Sequence, residues 1–231
     1  MFFDPRYFIF MLPALVLAGI ASFLVKVTFS RYSKVASYSG LSGARAAERM
    51  LRANGVYDVA VEETPGFLSD HYDPSRKILR LSPDVYRSNS LAAIGVACHE
   101  AGHALQHAES YAPLMLRTAM VPVTNFSSMF AFYVFAAGML FRSPAMVYAG
   151  CALFAVAFLF ALVTLPVEWD ASARARRHIV DSGIVSPAQE AAAAKVLNAA
   201  FLTYLAGAVS SLLTLLYFLM RAGLLGGRSR D

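Results

Sequence analysis

Four apolar stretches, each long enough to cross a bilayer, constrain this 231-residue chain more than any other feature. A spanning helix needs about 20 predominantly apolar residues. The stretches run from about Tyr7 to Phe29, Ala119 to Phe141, Pro144 to Val167 and Ala199 to Met220. Backbone polar groups in lipid must be satisfied internally, so such segments are expected to be helices. Apolar residues make up 58% of the chain and charged residues 15%, well below the charged share of about 25% in soluble domains. That balance excludes a disordered chain. Two cysteines, Cys98 and Cys151, cannot staple a small fold and read as buried thiols. The net charge of +5 could suggest nucleic acid. The basic residues flank apolar segments instead of forming a stripe interleaved with aromatics, so the expected partner is the lipid bilayer and not nucleic acid.

The first stretch lacks a basic leading region and a small-residue cleavage site, so it reads as a retained anchor. Only Arg142 and Ser143 separate the second and third, which makes them a tight hairpin. The two polar segments, Ser30 to Thr118 and Glu168 to Asn198, must therefore emerge on the same side of the membrane. Of the 20 Lys and Arg residues, 14 lie in those segments, five lie on the other side and Lys26 is in a span. The positive-inside rule then favours a cytoplasmic position for the polar segments.

Within the first polar segment the pattern reads helix, hairpin, helix. Ser42 can cap a helix reaching about Asn54 and ended by Gly55. Val59 and Val61, then Ile78, Leu79 and Leu81, suggest two short strands flanking a turn-rich Asp70 to Arg76. Ser82-Pro83 starts a helical region, capped again near Asn89 and Ser90, that runs to about Ser110. Ser186, Pro187 and Gln189 give the fourth apolar helix an N-cap, a proline at its first position and a capping-box partner.

The chemistry-bearing residues are His99-Glu100-Ala101-Gly102-His103, a match to H-E-x-x-H. Residues four apart share one helix face, so both imidazoles can reach one metal ion. Glu100, beside the first His, is placed to take a proton from a metal-activated water. Zinc suits this set because it accepts neutral imidazole nitrogens and lowers the pKa of its water toward 7. Two His and a Glu on an otherwise apolar helix would be costly to bury without a partner.

A catalytic zinc takes three protein ligands and keeps a position open. No H-x-x-G-x-x-H extension follows the motif. His107 shares a face with His103, but eight residues of helix put it about 12 Å from His99, too far for one ion. It is expected to line the pocket or support a neighbour. Glu168 is the better third ligand, since it stands where the third span ends, on the correct side. His99, His103 and Glu168 would form a His2Glu set. Asp170, Ser172 and Asp181 are candidates to orient a ligand His from outside, with spacing giving no choice among them.

At this point the sequence resembles the neutral zinc metallopeptidases of the YugP type, a bacterial membrane family. The resemblance spans nearly the whole chain. It rests on Asp70-His71-Tyr72-Asp73-Pro74, Leu81-Ser82, Cys98 to His107, and Pro166-Val167-Glu168-Trp169-Asp170-Ala171-Ser172. It implies one Zn2+ per chain, peptide hydrolysis, His99, His103 and a downstream Glu as ligands, Glu100 as base, and a multi-pass protein of the bacterial inner membrane. The layout is also similar to membrane gluzincins with an E-x-x-x-D third-ligand motif, where Ser172 stands in place of that Asp.

The expected fold is therefore a mainly α membrane protein, with four transmembrane helices and a small α+β zincin-like catalytic lobe on one side. Residues 1–29 form the N-terminal anchor, 30–118 the catalytic lobe with the H-E-x-x-H helix, and 119–167 the hairpin. A third-ligand helix and linker occupy 168–198, the C-terminal transmembrane helix 199–220 and a basic tail 221–231. The expected reaction is zinc-assisted hydrolysis of a peptide or membrane-protein substrate near the membrane surface. Some donor must stabilise the oxyanion. His71, Tyr72, His107, Arg174 and His178 are candidates, and the family resemblance tilts the choice to His71. A strand near Val59 or Ile78 could offer an open edge to an extended peptide.

Three rival readings are weaker. An intramembrane H-E-x-x-H is disfavoured because only eight apolar residues, Leu91 to Cys98, precede the motif. A non-catalytic structural or adaptor protein tied together by metal would favour four protein ligands, and Cys98 lies about 100° around the helix from His99. A transporter would place ionisable groups in its spans, which carry almost none. Substrate identity and oligomeric state leave no mark in the sequence.

Overall fold

A computed structural model describes residues 5–66 and 68–225. The predicted basic tail lies outside the described residues from position 226 onward. In order, the elements are α1 Pro5–Tyr32, α2 Gly43–Ala53, β1 Ala60–Glu63, β2 His71–Asp73 and β3 Ile78–Leu81. They are followed by α3 Pro83–Arg87, α4 Leu91–Ala108, α5 Ala112–Leu140, α6 Pro144–Asp181 and α7 Pro187–Arg221. Helices α1, α5, α6 and α7 are each long and apolar enough to cross a membrane. The protein is a mainly α membrane protein with a small α+β lobe.

The chain divides into two compact units. The first takes the apolar portions of the four long helices: residues up to Ile20, Leu116–Leu165 and from Thr203 onward. Aromatic rings fill its centre, with Phe154 stacked on Phe218 at 4.1 Å and Phe135 edge-on to Phe218 at 4.5 Å. Gly150 permits this packing, because a Cβ there would stand 2.6 Å from the Phe135 Cβ. Small residues at such crossings let helix backbones approach in the absence of a water-driven force. Hydroxyls in α7 fold back on their own helix, as in the 2.8 Å bond from Thr214 Oγ1 to the Ser210 carbonyl. Arg142 turns the α5–α6 hairpin with φ of +53°, and the Ser143 N–H closes onto the Gly138 carbonyl at 2.9 Å.

The second unit comprises Ala21–Met115 and Pro166–Leu202. Its core is built on α4, whose Leu91, Ile94, Ala97, Cys98, Ala101 and Leu105 are buried among α2, the sheet, the last part of α6 and the first part of α7. Burial pushes the Cys98 thiol up to about 12, an inert buried group. The caps follow the sequence pattern: Ser42 Oγ accepts from the Arg45 N–H and Ser90 Oγ from the Ala93 N–H.

Four local expectations are corrected. The sheet has three strands in the order β1-β3-β2, so the supposed turn between two strands contains a strand of its own. β1 pairs with β3 in parallel and β2 with β3 antiparallel, so β1 and β3 are not a hairpin. β3 is central, which removes Ile78 as an open edge and leaves β1 and β2 at the edges. Gln189 does not complete a capping box. Its amide crosses to another segment, accepting from the Tyr38 N–H at 2.8 Å and donating to the Ala36 carbonyl at 3.1 Å. The stretch that carries Glu168 is the last part of α6, which continues through Pro166 to Asp181. A proline inside a helix removes one backbone donor, and long apolar helices tolerate it.

Candidate metal centre

Two helices of the second unit supply the centre. His99 and His103 stand one turn apart on α4, and Glu168 projects from α6. Nε2 of His99 lies 3.1 Å from Oε2 of Glu168, and Nε2 of His103 lies 3.5 Å from the same oxygen. The two imidazoles meet edge to face with centroids 4.8 Å apart. One ligand atom from each residue falls within 4.8 Å of the others. Two imidazole nitrogens and a carboxylate oxygen are the donor types that zinc takes in a three-ligand site. The residues present fit the ion.

Burial makes the grouping more telling. Glu168 is only 1% exposed and His103 7%, and an isolated carboxylate at that depth would be expensive. Burial by itself pulls His103 toward its neutral form. The hydrogen bond to Glu168 and the charges of Glu100 and Glu168 outweigh it, so its pKa is raised above the ordinary value. Glu100 is half-buried and lies one residue, about 100° of helix, beyond His99.

The two helices touch closely enough to hold this spacing. A Cβ on Gly102 would stand 2.5 Å from the Ala171 carbonyl oxygen, so α4 meets the backbone of α6 between Glu168 and Ser172. Around the ligands, Nδ1 of His99 is 3.1 Å from Ser172 Oγ. Nδ1 of His103 is 3.0 Å from Oε1 of Gln106, and Asp170 is bonded to Gln106 and not to either imidazole.

Other residues singled out by the sequence fall elsewhere. His107 is outside the ligand group, and its Nδ1 is hydrogen-bonded with the Tyr72 hydroxyl at 2.8 Å. Burial, with Asp58 and Asp73 nearby, pushes the Tyr72 phenol up to about 12. Both residues line a cavity of about 250 Å³, together with Asp58, Lys77 and Ala104. His71 is exposed on β2, its Nδ1–H donating to the Ser69 carbonyl at 2.7 Å. Arg174 is engaged in ion pairs with Asp170 and Glu109. Asp181 is exposed and stands 13 residues beyond Glu168 on the same helix, about 20 Å away; it is withdrawn as a support for a ligand His. Gln106, which is fully buried, was not anticipated. Its position three residues beyond His103, on the ligand face of α4, was the one available signal.

Residues 7–223 match the model of the family described as "Putative neutral zinc metallopeptidase". The chain belongs to that family. It is similar to the "Putative membrane protease YugP" of Bacillus subtilis (strain 168), at 50% identity over 214 residues, which covers 92% of this chain and 95% of that protein. No solved structure matches the chain. The family description and the His–His–Glu grouping agree on zinc as the ion that the donor set suits.

Proposed function

We propose that the protein is a zinc metalloendopeptidase of the bacterial inner membrane, with its site on the cytoplasmic side, acting on peptides or membrane-protein loops near the bilayer surface. The observation that carries this reading is the convergence of one ring nitrogen each from His99 and His103 and a Glu168 oxygen within 4.8 Å. His99, His103 and Glu168 would hold one ion per chain. When bound, zinc supplies Lewis acidity, which makes water a stronger acid and a carbonyl a better electrophile.

Glu100 accepts the proton released as water oxygen bonds to the scissile carbonyl carbon, and returns it to the amine as the C–N bond breaks. Ser172 and Gln106 hold the two imidazoles by their Nδ1 sides. His71 remains the candidate for oxyanion support, on its family resemblance and its place on edge strand β2. Proximity to the bilayer is supported by Glu168 lying on the same continuous helix as an apolar span.

The test compares cleavage of a peptide tethered to vesicles with the same peptide free in solution, using zinc-loaded full-length protein in the same vesicles. Faster cleavage of the tethered form is expected. Equal rates would remove the membrane-proximal substrate, and loss of all cleavage on chelation followed by recovery with zinc would support the metallopeptidase reading.

A further inference from the structure

Gln106 has no solvent exposure, and it links Val167 and Asp170 of α6 to the Nδ1 side of His103. Its Nε2 donates to the Val167 carbonyl at 2.8 Å and to Asp170 Oδ2 at 2.8 Å. Both amide hydrogens are thereby used on acceptors that have no proton to give. The reversed amide would set an oxygen against two acceptors, so the hydrogen-bond network itself decides the orientation. Oε1 must then face His103 Nδ1, at 3.0 Å.

An amide oxygen only accepts, so His103 carries a proton on Nδ1. Nε2 is the nitrogen that faces Glu168, 3.5 Å away, on the side where an ion would be held. Asp170 is kept available as an acceptor by Arg174, whose Nε donates to the same Oδ2 at 2.6 Å. Arg174 is in turn held by Glu109 at 2.7 Å, where α4 ends.

We infer that Gln106 is a positioning residue that fixes His103 in the Nδ1–H tautomer for metal ligation through Nε2, and that Asp170 acts on the site through Gln106. Histidine ligands commonly have such a partner on the second ring nitrogen, usually a carboxylate or a backbone carbonyl. Here a neutral amide takes that place and the carboxylate stands one bond further out. The arrangement orients the ring without adding a second negative charge directly behind it. The inference rests on the zinc reading above.

The test is a double-mutant cycle on full-length protein in detergent, read as zinc affinity by competition with a chelator. Gln106→Met keeps the side-chain volume and removes the hydrogen bonds. It is expected to weaken zinc binding about 10–100-fold. Asp170→Asn is expected to weaken it less, and to add nothing once Gln106 is Met. A loss from Asp170→Asn that is as large in the Gln106→Met background as in the wild type would overturn the relay, as would unchanged affinity in a folded Gln106→Met variant.

A second readout does not depend on any variant folding. Nitrogen-15 shifts of the five labelled histidines in zinc-loaded wild type should show His103 metallated at Nε2 and protonated at Nδ1. Metallation of His103 through Nδ1 overturns the inference while leaving the zinc reading intact. Wild-type protein that takes up no zinc overturns both.

Discussion

Oε2 of Glu168 stands 3.1 Å from Nε2 of His99, although 69 residues separate them in the chain and they sit on different helices. The contact joins the two polar segments, so metal retention should depend on α6 as well as on the two histidines of α4. Glu168→Ala removes the anionic donor and leaves the two imidazoles facing each other. Elemental analysis after dialysis should give about one zinc per chain for the wild type. The variant should lose at least the 10–100-fold in affinity that removal of a merely supporting partner produces. Undiminished zinc would shift the third ligand to another residue.

Glu100 is the complementary case. It is half-buried beside His99 but outside the ligand group, so its substitution should separate chemistry from binding. Glu100→Gln preserves shape and removes the base. Turnover should fall by about 10²–10⁴, the contribution typical of general acid–base catalysis, while zinc content stays at the wild-type level. Zinc loss in Glu100→Gln would mean that the residue holds the site together and would leave the base unassigned.

Of the residues behind those two predictions, His99, Glu100 and His103 carried local signals. The spacing of His99 and His103 puts both on one helix face at any tertiary context, and the four apolar stretches are long enough to need no help from neighbours. Ser42 and Ser90 cap their helices through bonds three residues away. What stayed hidden depends on distant partners. Strand direction in β1 and β3 is decided by the path between them, and β2 is disguised by Asp70 and Asp73. Asp70 caps Ser82, and Asp73 caps the turn at Ser75 and Arg76. Gln106 carries no ligand signature, because its partners are 61 and 64 residues away. Gln189 matched a capping box and was used instead by Tyr38, 151 residues off.

The close approach of α4 and α6 makes Gly102 a point of failure. Gly102→Ala would place a methyl 2.5 Å from the Ala171 carbonyl oxygen, and that atom is backbone and cannot swing aside. Overpacking of this kind costs about 1–3 kcal/mol. Because Ala171 lies between Glu168 and Ser172, the same displacement should separate the donors and weaken zinc binding. Gly207→Ala is the control, since nothing lies within 4 Å of its Cβ position; it should be neutral or slightly stabilising. Thermal unfolding and zinc titration of the two variants check the pair, and wild-type behaviour of Gly102→Ala would mean that the helices have room to part.

Tyr72 carries the last prediction, and its sign follows from the direction of its shift. The phenol is pushed up to about 12, by burial first and by Asp58 and Asp73 after it. The folded protein therefore holds this proton more tightly than the unfolded chain, whose tyrosines titrate near 10. Whatever Tyr72 contributes to stability is constant below about pH 10 and is lost as pH rises toward 12. Through the neutral range the hydroxyl keeps its proton and its hydrogen bond with His107 Nδ1 at 2.8 Å. Tyr72→Phe removes the bond and should cost about 0.5–1.5 kcal/mol at pH 7. It should also flatten the alkaline limb of the stability curve between about pH 10 and 12. Unfolding measured against pH for both proteins decides it: parallel curves across that interval would show that the Tyr72 proton is not held by the fold.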